Sequence, residues 1–231
     1  MASKRTRRRA RRKPRRRRRR KSPTVVNLMP GPRNRTLPPM ALAKFRYVTE
    51  GNIDDALPYN TYQFRMNGLF DSDFSSTGHQ PSGFDALMAL YKRYRVYKVE
   101  AKATFITSSS YPQRVALYGR RDASTYSNPL LHDLSNDKTT KLSTLTDSSG
   151  SKTITTLRKT FYPATFYKGE DYMKDLDFTG TSTNVPARQG YINLGVYNLD
   201  KTNRVDCDFE IELIYHARLE RIDEIEPVLE D

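Results

Sequence analysis

Residues 1–21 carry 15 Lys and Arg and no Asp or Glu, and Arg15 to Arg20 is an unbroken run of six arginines. The chemistry open to such a stretch is phosphate binding. Each guanidinium can chelate phosphate oxygens, and neutralising a polyanion releases its counterions, which drives binding without sequence preference. The candidate contacts are Arg5, Arg7, Arg8, Arg9, Arg11, Arg12, Lys13, Arg15, Arg16, Arg17, Arg18, Arg19, Arg20 and Lys21. The stretch holds no Tyr, Phe or Trp, so it offers no stacking platform for bases and its contacts would be to the nucleic-acid backbone. A Lys/Arg-rich segment also serves as a nuclear import signal, and the two roles are compatible.

A second basic cluster lies further along, in Tyr91-Lys92-Arg93-Tyr94-Arg95-Val96-Tyr97-Lys98. Interleaved aromatics and cations mark surfaces that bind single strands, which makes Lys92, Arg93 and Arg95 candidate contacts. The same run also reads as a helix C-terminus with favourable cations followed by an ordinary strand. Near the C-terminus, Asp206, Asp208, Glu210 and Glu212 alternate with Val205, Cys207, Phe209, Ile211 and Leu213. Four acids at every second position project from one strand face about 7 Å apart. They could ligate Ca²⁺, but calcium sites draw ligands together from a loop. A cross-strand charge ladder with basic neighbours is the favoured reading.

Enzyme chemistry finds no foothold. The sequence has no phosphate loop, dinucleotide-binding turn, nucleophile elbow or H-E-x-x-H pair. His79, His132 and His216 have no metal-ligand spacing, and the single Cys207 excludes a disulfide framework and a Cys-based zinc site. No cofactor is expected. No stretch reaches the roughly 18–20 apolar residues of a membrane helix, and no membrane partner is expected.

The charge is divided unevenly. The 231 residues hold 40 Lys and Arg against 26 Asp and Glu, a net of +14; without the 15 cations of residues 1–21, 25 bases face 26 acids. A nearly neutral body therefore carries a polycation. Residues 1–21 are expected to be a disordered arm, since like charges repel and nothing apolar can build a core. Residues 22–41, with Pro23, Pro30, Pro32, Pro38 and Pro39, read as an extended tether, and 220–231, with six acids and one base, as an acidic tail.

Between them, residues 42–219 read as strands. Alternating patterns predict strands over Lys44–Glu50, Tyr59–Asn67, Arg95–Ile106, Gln113–Tyr118, Thr139–Leu145, Lys152–Phe161, Gly190–Asn198 and Val205–Tyr215. Phe84, Leu87, Met88 and Tyr91 fall on one helical stripe, with Ser82 and Asp85 as a capping box. A second short helix is possible near Pro129–Leu134. Eight strands with little helix predict an all-β fold, an eight-stranded antiparallel jelly-roll sandwich. Named B to I in order, the strands place the helix between C and D and the last strand between B and D. Lys44 and Arg46 on one neighbour, and Lys98 and Lys102 on the other, would then flank the acidic row.

A neutral sandwich with a long polycation puts nothing rigid into a groove, so it suits condensing a nucleic acid better than reading bases. Asn67-Gly68-Leu69-Phe70-Asp71, Gly78-His79-Gln80-Pro81, Gly83-Phe84-Asp85, Leu90-Tyr91 and Tyr94-Arg95-Val96 resemble the capsid proteins of small circular single-stranded DNA viruses, the circovirus-like group. The resemblance implies a single jelly roll, sixty subunits per icosahedral shell, and packaging of circular single-stranded DNA. It also implies a virion location, with passage through the host nucleus. Similar jelly rolls with basic arms occur in small satellite RNA viruses, so RNA stays open as the genome type. The runner-up is a ribosomal or chromatin-associated nucleic-acid-binding protein. Subunit contacts are expected from the long segments Asp122–Asp137 and Phe161–Gln189, whose Tyr, Phe and Pro residues suit interface cores.

Overall fold

The computed structural model describes residues 38–75, 78–123 and 138–221. The expected arm, most of the tether, the possible helix near Pro129–Leu134 and nearly all of the acidic tail lie outside the described residues. The eight strands are β1 (Met40–Asp55), β2 (Tyr59–Arg65), β3 (Arg93–Thr107), β4 (Gln113–Arg120), β5 (Lys141–Leu145), β6 (Ile154–Phe161), β7 (Tyr191–Asn198) and β8 (Val205–Glu220). Each falls where alternation predicts one. β1 and β8 are longer than their patterns suggest, β1 beginning at Met40 and β8 ending at Glu220.

The strands form two antiparallel four-stranded sheets, ordered β1-β8-β3-β6 and β2-β7-β4-β5. This is the jelly roll, with β8 between β1 and β3. The period-2 pattern explains why the sheets stack. β8 buries Val205, Cys207, Phe209, Ile211, Leu213, Tyr215, Ala217 and Leu219 on one side, and β1 adds Phe45 and Tyr47 while β3 adds Val99, Ala103 and Phe105. The facing sheet contributes Phe64, Val115, Leu117, Ile192, Leu194 and Val196, and the two inner faces merge into one core. Burial of this apolar surface is the main driving force of the fold.

α1 is a single five-residue segment, Phe84–Met88. Its N-cap is Gly83 at φ 80°, with no side-chain cap, so the expected Ser82–Asp85 capping box does not form. A left-handed Gly turns the chain into the helix in place of a hydroxyl cap. The apolar stripe is used as expected: Phe84, Met88 and Tyr91 are buried in the main core. No described helix is long and apolar enough to cross a membrane.

Candidate nucleic-acid interface

The outward face of the β1-β8-β3-β6 sheet is ordered by register into rows across the strands. From the end where the chain enters β1, Lys44, His216 and Lys98 stand in one row. Arg46, Ile214, Glu100 and Thr160 make the next, and Val48, Glu212, Lys102 and Arg158 the one after. Beyond them come Glu50, Glu210, Thr104 and Thr156, then Asn52, Asp208, Ile106 and Ile154, and last Asp54 with Asp206. Strand alternation sends all of these away from the core.

The face is therefore polarised. Of these six rows, the three nearer Met40 hold five cations and two carboxylates, and the three far ones hold five carboxylates and no cation. The ladder forms where the halves meet. Glu212 lies between Arg46 Nε at 2.6 Å and Lys102 Nζ at 4.0 Å, a base–acid–base trio across three strands. The other acids of the row are held differently. The Asn52 amide donates to Asp206 Oδ1 at 3.0 Å and to Asp208 Oδ1 at 2.8 Å, and Arg204 lies 3.6 Å from both Asp206 and Asp54. Lys44 and Lys98 lie beyond the row, flanking His216 instead. Among the described residues no group of three His, Cys, Asp or Glu side chains is arranged to hold a metal ion.

His216 is an outward-facing residue that is nearly buried, at 6% exposure. Its Nε2 lies 3.2 Å from Glu100 Oε1, and Glu100 in turn pairs with Lys98 at 2.6 Å. Burial pushes the imidazole pKa below its ordinary value, Lys98 and Lys44 push it further, and Glu100 opposes them. The hydrogen bond from Lys98 holds the Glu100 carboxyl below the usual carboxylate range.

The second basic cluster splits. Lys92 is exposed and Arg93 half-buried, and both sit at the start of β3, where the Lys92 N–H donates to the Glu220 carbonyl and Arg93 faces Glu220 in register. Met40 also pairs with Glu220, so these two cations stand at the end of the sheet where β1 begins. Arg95 is different. It is 3% exposed, and its guanidinium donates to the Tyr172 carbonyl at 3.0 Å, the Asp175 carbonyl at 2.9 Å and Thr179 Oγ1 at 2.6 Å. That corrects its assignment as a phosphate contact: it clamps the segment between β6 and β7 onto β3. Tyr172 Oη completes the clamp by donating to the Val96 carbonyl at 2.8 Å, and Tyr94 and Gly180 exchange backbone hydrogen bonds. Tyr91 and Tyr94 are buried too, so neither offers a ring to a base.

Sequence reasoning placed Lys44, Lys98 and Lys102 beside the acidic row but did not include Arg158 or see the four as one patch. Lys98 and Lys102 share β3, Lys44 lies on β1 and Arg158 on β6, and only the register brings the three strands' cations together.

No family model matches the chain, and no curated protein matches it. Solved viral structures are similar to it. The 60-mer BFDV capsid protein gives a TM-score of 0.43 at 9% identity, covering 81% of this chain and 97% of that one. The semi-empty VLP of giant freshwater prawn Macrobrachium rosenbergii nodavirus gives 0.44 at 13% identity, covering 89% and 95%. Desmodium yellow mottle tymovirus gives 0.37 at 12% identity, covering 86% and 96%. The likeness is one of fold, and at these scores it carries nothing about chemistry.

Proposed function

We propose that this chain is a capsid protein. In this reading it self-assembles into a small icosahedral shell and packages single-stranded nucleic acid, with circular single-stranded DNA as the genome. The cations of residues 1–21 are the main contacts, joined by Lys92 and Arg93 at the start of β3. The protein is structural rather than catalytic, resides in the virion, and passes through the host nucleus by means of the same basic stretch.

One observation carries the reading. A jelly roll of nearly neutral charge is joined in one chain to a stretch with 15 cations in 21 residues. Jelly rolls serve capsids, lectins and cupins alike, so fold alone does not choose among them. The polycation does. It binds backbone phosphates without reading bases, which is what enclosing a whole genome requires.

The test is to express the full chain and examine it by sizing and negative-stain microscopy, then digest any protected nucleic acid with DNase or RNase. A megadalton particle that shields DNase-sensitive single strands supports the proposal in full. Particles that protect only RNA would overturn the genome type, and a monomer that binds folded RNA would overturn the capsid reading.

A further inference from the structure

We propose that the basic half of the outward β1-β8-β3-β6 face is a second binding surface for the phosphodiester backbone of single-stranded nucleic acid, built from Lys44, Lys98, Lys102 and Arg158. The inference rests on the packaging reading and adds a folded surface to the basic stretch.

The first ground is surplus charge. In this half Glu100 is engaged by Lys98, and Glu212 is shared by Arg46 and Lys102. Lys44 and Arg158 are both exposed, and neither has an ion pair among the described residues. Cross-strand pairing, the ordinary explanation of charges on a sheet, accounts for the two acids and leaves cations over.

Shape is the second ground. An open cleft of about 380 Å³ lies over β8, β3 and β6, with Lys102, Arg158, Lys159 and Thr160 along it, Glu100 on β3 and Glu212 on β8. From β1 to β6 the patch spans four strands, about 14 Å at ordinary strand spacing. Lys102 and Arg158 are direct cross-strand partners, so they present a pair of donors fixed by the sheet.

Position is the third. The patch begins in the row next to the one that holds Leu42 and Arg218, and Arg93 stands one row further out, opposite Glu220, at the end of the sheet where β1 begins. The five carboxylates of the far half repel a polyanion, which bounds the track and sets its direction across the strands rather than along them.

The test compares two triple variants of the full chain. K44Q/K102Q/R158Q removes three cations of the patch. K141Q/K168Q/K174Q removes three exposed cations elsewhere, for the same change in net charge. Affinity for a labelled oligothymidylate is measured over a salt series, with thermal unfolding as the folding check. A single-strand contact contributes a slope of about 0.7 in log K against log salt, so the patch variant should lower the slope by about 2 and the control by less than half of that. Equal slopes in the two variants, both folded, would overturn the proposal. So would a patch variant that loses binding to a sulfated polysaccharide while keeping its DNA binding. Particle formation by the same proteins is scored separately. If the unmodified chain forms no particle, the capsid reading falls while the titration still decides the patch. If particles form and the slopes are equal, only the patch falls.

Discussion

Arg95 and Lys92 are three residues apart and have opposite fates, decided by which side of the β3 start the neighbouring segment covers. A guanidinium with three oxygen acceptors and almost no exposure holds a loop, and it costs a great deal to leave those acceptors bare. Arg95→Ala should destabilise the body by about 3 kcal/mol in urea unfolding, with oligonucleotide affinity unchanged wherever the variant is folded. Lys92→Ala should do the reverse, leaving stability alone and weakening binding. His216 gives the residue scale its pH dependence. It is faced by Lys44 from β1, by Lys98, Glu100 and Tyr97 from β3, and by its own strand neighbour Arg218 one row away. Its folded pKa lies below the unfolded value of about 6.5, so the unfolded chain takes up the proton first. Its contribution to stability is fully present above about pH 6.5 and is lost as pH falls through the folded pKa. Glu100, also depressed, loses its contribution lower, as pH drops below the usual carboxylate range. Equilibrium unfolding between about pH 7 and pH 5 should therefore show stability declining with acid. His216→Gln should flatten that decline, and an unchanged slope would remove the residue from the account.

At the scale of elements, the segment between β6 and β7 is a small structure of its own and not a free loop. Tyr167, Tyr172 and Phe178 bury one another as a satellite core, with ring centroids 4.6–4.7 Å apart for the two contacts to Phe178. Phe166 bridges this cluster to the main core, while Tyr162 is 50% exposed and Leu176 59%. The aromatics that suggest an interface in the sequence thus divide between two jobs. Tyr162→Glu should leave thermal unfolding nearly unchanged and block assembly in sizing experiments. Phe166→Glu should lower stability by several kcal/mol, since it places a charge against packed apolar surface. Assembly that survives Tyr162→Glu would move the subunit contact elsewhere. The same division explains what the sequence does and does not disclose. Eight strands were legible because each half-buried strand alternates, Val205–Leu219 most plainly, and the position of β8 between β1 and β3 follows once the jelly roll is recognised. The ladder was legible only at Glu212. The β1–β8 register sets Glu50 opposite Glu210 and Lys44 opposite His216, and no single-strand pattern contains a register. Arg95 was misread for the same kind of reason: the chain that buries it lies about 80 residues away.

For the whole molecule, the decisive asymmetry is between a body with 25 bases and 26 acids and a 21-residue stretch with 15 cations. In a shell of sixty copies those stretches supply about 900 positive charges, enough to offset about 900 backbone phosphates at one negative charge each. On the proposed reading a single-stranded circle of a few kilobases exceeds that; the proposed contacts at Lys92, Arg93 and the sheet face would narrow the deficit, and cellular cations would close it. Among the described residues the main core is drawn from Ala43 to Leu219. Deleting residues 1–21 should therefore leave the cooperative unfolding transition in place and abolish encapsidation. It should also remove most of the salt dependence of binding. The 15 cations of the stretch alone, at about 0.7 per single-strand contact, supply a slope near 10, and the six proposed body cations of the truncated chain supply no more than about 4. The measurement is the affinity of both proteins for one non-specific oligonucleotide across a salt series, beside a nuclease-protection assay on the assembled material. A truncated protein that kept the full slope and still protected nucleic acid would transfer packaging to the body, with Lys92, Arg93 and the basic half of the β1-β8-β3-β6 face as its remaining means.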